Sequence, residues 1–233
     1  MKKNKLYGIN LSIIINFLIF ITSLIGFILS CLFATRDGYY HWSTRLLYFT
    51  QQSNLWIGFT SLAFAIIQLR KISTEKIYKI ISILKYVFTI SITITGIIFC
   101  SLLAPFADYN VWTFSSVLTH VIVPSLSIFD FFANKKIIFF EKKYKLYTFI
   151  PPLIYFIITS VLCLFKVDFG RGDPFPYFFM DYYSEVGLFG LIIKWPPQIG
   201  SFYWFIFFFG FIYVLSTIYY KFKTYLLNKV QSK

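Results

Sequence analysis

A hydroxyl and an imidazole stand out in this chain because each lies in a run otherwise apolar enough to cross a bilayer. The first belongs to YFTQQSNLW, where Thr50, Gln51, Gln52, Ser53 and Asn54 follow one another. A period of 3.6 residues puts Thr50, Ser53 and Asn54 on one side of a helix, with Ser61 further along it. The second is His120 in SSVLTHVIVPSLSIFDFF, with Ser116 one turn before it, Pro124 one turn after it and Ser127 beyond. Hydrocarbon offers no water to such groups, so they must meet another helix or line a wet cavity. A threonine hydroxyl attacks well only when a base takes its proton, and neutral imidazole is the commonest such base. Thr50 and His120 are therefore the candidate catalytic pair. Gln51, Ser53 and Asn54 are candidates to support it, by orienting the imidazole or donating to a developing oxyanion. The plainer alternative for the whole set is hydrogen-bond glue between helices.

The elements that must position these groups follow from composition: 58% hydrophobic and 23% aromatic residues with only 13% charge exceed what a water-soluble domain can hide. Six apolar runs, Ile9 to Phe33, Leu46 to Leu69, Leu84 to Leu103, Val111 to Phe132, Leu146 to Phe165 and Ser201 to Tyr220, each have about the length a helix needs to span hydrocarbon. The expectation is an all-α, polytopic membrane protein with six transmembrane helices in one domain over 1–233. The longest connection is an outer loop, Lys166 to Gly200. Helices two and four then run in the same direction, and Thr50 and His120 lie at similar depth, about 6 to 13 Å below their outer ends at 1.5 Å per residue.

Orientation is read from lysine and arginine, which stay on the cytoplasmic side of short loops. Seventeen of the 22 basic residues fall in alternate loops or tails: Lys2 to Lys5, Arg70 to Lys85, Lys135 to Lys145 and Lys221 to Lys233. Both termini are thus expected in the cytoplasm of a cell-membrane protein, with the Lys166 to Gly200 loop outside. The net charge of +13 is explained by this bias and by attraction to anionic headgroups, without nucleic acid as a partner. The basic, apolar N-terminus reads as a retained first helix, being longer than a signal core and lacking a clear cleavage site. Cys31, Cys100 and Cys163 read as small apolar packing residues. Gly170, Gly172, Pro174 and Pro176 break the outer loop, whose Phe175, Tyr177, Phe178, Phe179, Tyr182 and Tyr183 suit either a cap over a pocket or an interfacial anchor.

His120 is expected to be the one ionisable group well inside a span, apart from Asp130 near a cytosolic end, which caps that helix or pairs with Lys135 or Lys136. His41, in YYHWSTR, reads as interfacial. The chain has no CxxC, HExxH, P-loop or GxSxG, so metal, nucleotide and ordinary serine-hydrolase chemistry lack their donors, and no cofactor is expected.

Three strings carry a resemblance: F-T-x-x-S-N (Phe49, Thr50, Ser53, Asn54), H-x-x-x-P followed by an acid (His120, Pro124, Asp130), and P-F-P-Y-F-F-M-D (Pro174 to Asp181). The chain resembles a bacterial family of six-helix membrane proteins, itself distantly similar to the androgen-induced protein and androgen-dependent TFPI-regulating protein family. There a membrane-embedded threonine and histidine cleave fatty acid esters of hydroxy fatty acids. Thr50 and His120 are the matching positions, which implies an intramembrane hydrolase of fatty acyl esters acting on a lipid-like substrate. TQQSN departs from the more apolar segment of the eukaryotic members. A small-solute transporter and a non-catalytic lipid-binding protein are the alternatives. The transporter lacks inverted repeats and paired glycine-broken helices.

Overall fold

The computed structural model describes residues 2–72, 74–107, 110–137, 141–170, 172–192 and 198–231, with side chains described from 11 to 229. Arg171, Lys194, Lys233 and the side chains of Lys2, Lys3 and Lys5, all used to read orientation, lie outside what is described. The fold is all-α. Helices α1 (Lys2–Leu32), α2 (Phe49–Leu69), α3 (Glu75–Ile98), α4 (Phe114–Val117), α5 (Val123–Ala133), α6 (Tyr144–Tyr147), α7 (Ile150–Leu164) and α8 (Ser201–Gln231) follow in chain order. The outer loop adds a two-residue antiparallel ladder, β1 (Leu191–Ile192) with β2 (Gln198–Ile199).

Among the described residues, five stretches are long and apolar enough to cross a membrane: Leu11–Leu32, Glu75–Phe106, Phe114–Ala133, Tyr144–Leu164 and Ser201–Lys229. This is the pattern of a multi-pass membrane protein. Side-chain orientation agrees with it. On α7, Ile150, Leu153, Ile154, Ile157, Ile158, Val161 and Leu164 all point outward, while Pro151, Tyr155, Thr159 and Cys163 are buried. Water would penalise that outward stripe heavily, whereas lipid tails would not. The third and last helices run beyond their expected bounds, to Glu75 and to Gln231.

The second apolar run becomes α2, whose polar residues keep it out of the five. At 21 residues it has spanning length, and its polar side is packed inward: Thr50, Gln51, Ser53, Asn54, Ser61 and Gln68 are all buried. It packs most extensively against α1 and next against α3.

Deep between the helices the structure corrects the reading of Asp130. Its carboxylate is 2.7 Å from Lys85 Nζ, both side chains being buried, and Lys135 and Lys136 are not its partners. Lys85 also donates to Asn16 Oδ1 (2.8 Å) and Ser61 Oγ (3.0 Å), and Asn16 Nδ2 donates to Asp130 (2.8 Å). Lys85 is therefore an interior residue of α3 and no part of a loop charge. Lys223 is likewise buried, donating to the carbonyls of Phe131 and Asn134, so His120 is not alone among the chain's interior ionisable groups. A buried charge pair survives where its remaining valences are met, as they are here by Asn16 of α1 and Ser61 of α2.

Candidate active site

Thr50 sits in the first turn of α2, after Tyr48 has turned the chain from an extended conformation into the helix. Its amide is among the first four of the helix, which have no carbonyl a turn earlier to bond. His120 sits where a helix would be expected to run unbroken from Phe114 to Ala133, but Leu118–Ile122 forms a π-helical turn. Two residue choices account for the irregularity and its use. The Val123 amide donates to Leu118 O, which releases Thr119 O, and Pro124 has no N–H to give to His120 O. Asn54 Nδ2 then donates to Thr119 O (3.1 Å) and to Thr50 O (2.8 Å), tying the π-turn to the start of α2.

The two helices meet at the pair singled out by residue type. Thr50 Oγ1 is 3.3 Å from His120 Nε2. The other ring nitrogen, Nδ1, is 2.9 Å from Ser116 O, with Ser116 Oγ at 3.1 Å and Thr119 Oγ1 at 3.2 Å. A carbonyl only accepts, so Nδ1 carries the proton, and in the neutral ring Nε2 keeps its lone pair toward the threonine hydroxyl. Phe99 stacks on the imidazole, centroids 3.7 Å apart and planes 14° off parallel. Phe99 itself opens a second π-helical turn, Phe99–Leu103, so both stacked rings are presented from distorted helix.

The supporting residues do not bond the imidazole: Ser53 and Asn54 donate to backbone carbonyls and Gln51 to a serine hydroxyl. Ser53 Oγ donates to Thr50 O (3.1 Å) and meets Thr95 Oγ1 (2.9 Å). Both Nδ2 hydrogens of Asn54 are spent on the two carbonyls, leaving none for an oxyanion. Gln51 Nε2 donates to Ser30 Oγ of α1 (3.1 Å), and its buried Oε1 has no partner. His41 caps a short 3₁₀ turn through Ser43, away from this cluster.

The outer loop roofs the site. Tyr177 stacks on Phe179 (5.0 Å, 13°) and meets Tyr48 edge-on (5.7 Å), and Phe179 packs on Phe208 of α8 (4.7 Å). Burial pushes the Tyr177 phenol up to about 12, against the opposing pull of the Thr50 hydroxyl and amide beside it. Tyr177 therefore keeps its proton throughout the physiological range and is a donor there. Two cavities meet at Thr50, Leu103 and Tyr177, which line both. One, of about 930 Å³, mixes polar and apolar groups and includes Ser30, Arg45, Gln51, Ser116 and His120 beside Phe99, Phe106 and Phe175. The other, of about 100 Å³, is walled by Ile94, Ile98, Phe156, Phe208 and Ile212 among others.

Compared with known protein families, curated proteins and solved structures, the chain matches none.

Sequence reasoning reached Thr50 and His120 because a hydroxyl cluster and an ionisable ring are costly in apolar runs. It missed the anchoring of Nδ1 by Ser116 O, since a backbone carbonyl leaves no residue-type signal. It did not place Tyr177 beside Thr50, since the two lie far apart in the chain.

Proposed function

We propose that this is a six-span membrane protein with both termini in the cytoplasm, which hydrolyses fatty acyl esters in a site facing the outer leaflet. The sixth span is α2, whose polar face is sheltered by its neighbours, and the orientation rests on the basic residues. The observation that carries the chemistry is the Thr50–His120 contact, with Nδ1 held by Ser116 O so that Nε2 faces the hydroxyl. The family resemblance points to the same pair.

In this reading Thr50 Oγ attacks the ester carbonyl while Nε2 takes its proton. The carbonyl oxygen, turning anionic, is met by the Tyr177 phenol and by the Thr50 amide at the N-terminal end of α2, which turns to it from the phenol oxygen it faces in the resting site. The ester C–O bond breaks and the alcohol leaves with the proton from Nε2. Water then adds to the acyl-threonine, giving a proton to Nε2, and the carboxylic acid departs as Thr50 is restored. The 3.3 Å separation is long for a hydrogen bond of this kind, as is common before substrate compresses a site.

The test uses purified protein with a panel of acyl esters and a fluorophosphonate probe. Thr50→Ala should abolish labelling and turnover, Thr50→Ser should keep part of both, and His120→Ala should lower turnover by about two to four orders of magnitude. Helix glue predicts a different result: a loss of about 0.6 to 2 kcal/mol in stability with activity intact. Labelling that survives Thr50→Ala overturns the threonine nucleophile.

A further inference from the structure

The two cavities that meet at Thr50 differ in size and in chemistry. The inner one is lined mostly by apolar and aromatic side chains, and its polar members are Thr50 and Tyr177 at the neck, Tyr155, whose buried hydroxyl has no hydrogen-bond partner, and Thr95, whose hydroxyl is occupied by Ser53 and by Ser91 O. Such a cavity stays dry and takes apolar groups. Its volume of about 100 Å³ is smaller than the roughly 150 Å³ that admits a benzene ring, so it holds an aliphatic chain of about four carbons.

The outer cavity is about nine times larger and carries unspent hydrogen-bonding groups. Gln51 Oε1 is an acceptor without a partner, on a side chain 6% exposed. Arg45 pairs with Asp37 through one terminal nitrogen (2.7 Å), yet its buried Nε has no acceptor. Gln51 and Arg45, whose unpartnered atoms are an acceptor and a donor, both line this cavity, a combination that suits hydroxyl groups, each of which donates and accepts. A buried polar group left unpaired is costly, so a ligand that pairs it recovers that cost.

We infer, resting on the ester-hydrolase reading, that the substrate is an ester of a short acyl chain, about four carbons, with a bulky polyhydroxylated alcohol. The acyl chain enters the apolar chamber below Thr50 and the alcohol lies in the polar vestibule. Addition of water across the ester bond then leaves a short carboxylic acid in the chamber and the free alcohol in the vestibule. This narrows the fatty acyl class to its short-chain end. Ile212 of α8 is among the residues that line the chamber, and its side chain limits chain length on that side.

The experiment compares glucose 6-O-acyl esters with acetyl, butanoyl, octanoyl and hexadecanoyl chains, by turnover on the wild-type protein and by equilibrium binding to Thr50→Ala in nanodiscs. The butanoyl ester should give the highest kcat/KM, with the hexadecanoyl ester at least ten-fold lower, and Ile212→Ala should move the optimum to octanoyl. Phe208→Leu, opening the same wall by a smaller change, should move it in the same direction should the alanine variant fail to fold. A hexadecanoyl optimum in the wild type, or a profile unmoved by both variants, overturns the inference while leaving the hydrolase standing. Absent turnover with binding that still favours butanoyl overturns the hydrolase and keeps the chamber. Binding without chain-length preference overturns the chamber as well.

Discussion

Asn54 has the heaviest structural duty of any residue at the site that does not face the reacting groups. Its amide satisfies Thr119 O, which the π-turn releases, and Thr50 O next to the nucleophile. Asn54→Ala strands a buried carbonyl and unties the two helices together. The expected cost is about 1 to 3 kcal/mol of stability, measured by denaturation in detergent, with turnover falling in proportion to the loss of Thr50–His120 geometry. Asn54→Asp should not rescue it, because a carboxylate cannot donate to either carbonyl. The importance of the Thr50–Asn54 cluster was legible in the sequence from residue type alone. The direction of its action was not: an asparagine reads the same whether it serves an imidazole, an oxyanion or a carbonyl, and only the neighbouring helix decides.

Run length and apolarity marked the long elements because an apolar run of spanning length has few other folds in a bilayer. The two π-turns were not legible, since one inserted residue in a helix shifts hydrogen bonds without changing composition. Pro124 marked a weak point in the chain, but a missing N–H is equally compatible with a kink or a break. The small residues opposite were the other available signal. Gly96 of α3 lies against the π-turn so closely that a Cβ there would come within 2.9 Å of His120 O and 3.2 Å of the Pro124 ring. Neither of those groups can swing away as a flexible side chain can. Gly96→Ala should therefore force α3 off the π-turn, costing about 1 to 3 kcal/mol and depressing turnover through displacement of Phe99 and His120. Gly210→Ala in α8 is the control, because nothing lies within 4 Å of its added carbon; it should leave stability unchanged or slightly raised.

Across the whole molecule, lipid and interior are separated by which face each helix turns inward, and the interior holds many buried serines, threonines and amides. The Lys85–Asp130 pair sits within it, which changes how charge reports orientation. Lys85 was counted among loop residues because it stands at the edge of an apolar run, yet it is buried in α3 and says nothing about sidedness. The remaining basic residues of the Arg70 to Lys79 and Lys135 to Lys145 segments still outnumber those between helices on the other side, so the expected orientation does not depend on it. A cysteine-free background is practicable, since Cys31, Cys100 and Cys163 are free thiols in helices and behave as small apolar residues. In that background a cysteine at Ser184 in the outer loop should react with an impermeant maleimide added to intact cells. A cysteine at Lys142 should react only after the membrane is opened. Reaction of the Lys142 position alone in intact cells would invert the orientation, placing the Thr50–His120 site toward the cytoplasmic leaflet and its polar vestibule among the metabolites of the cell interior.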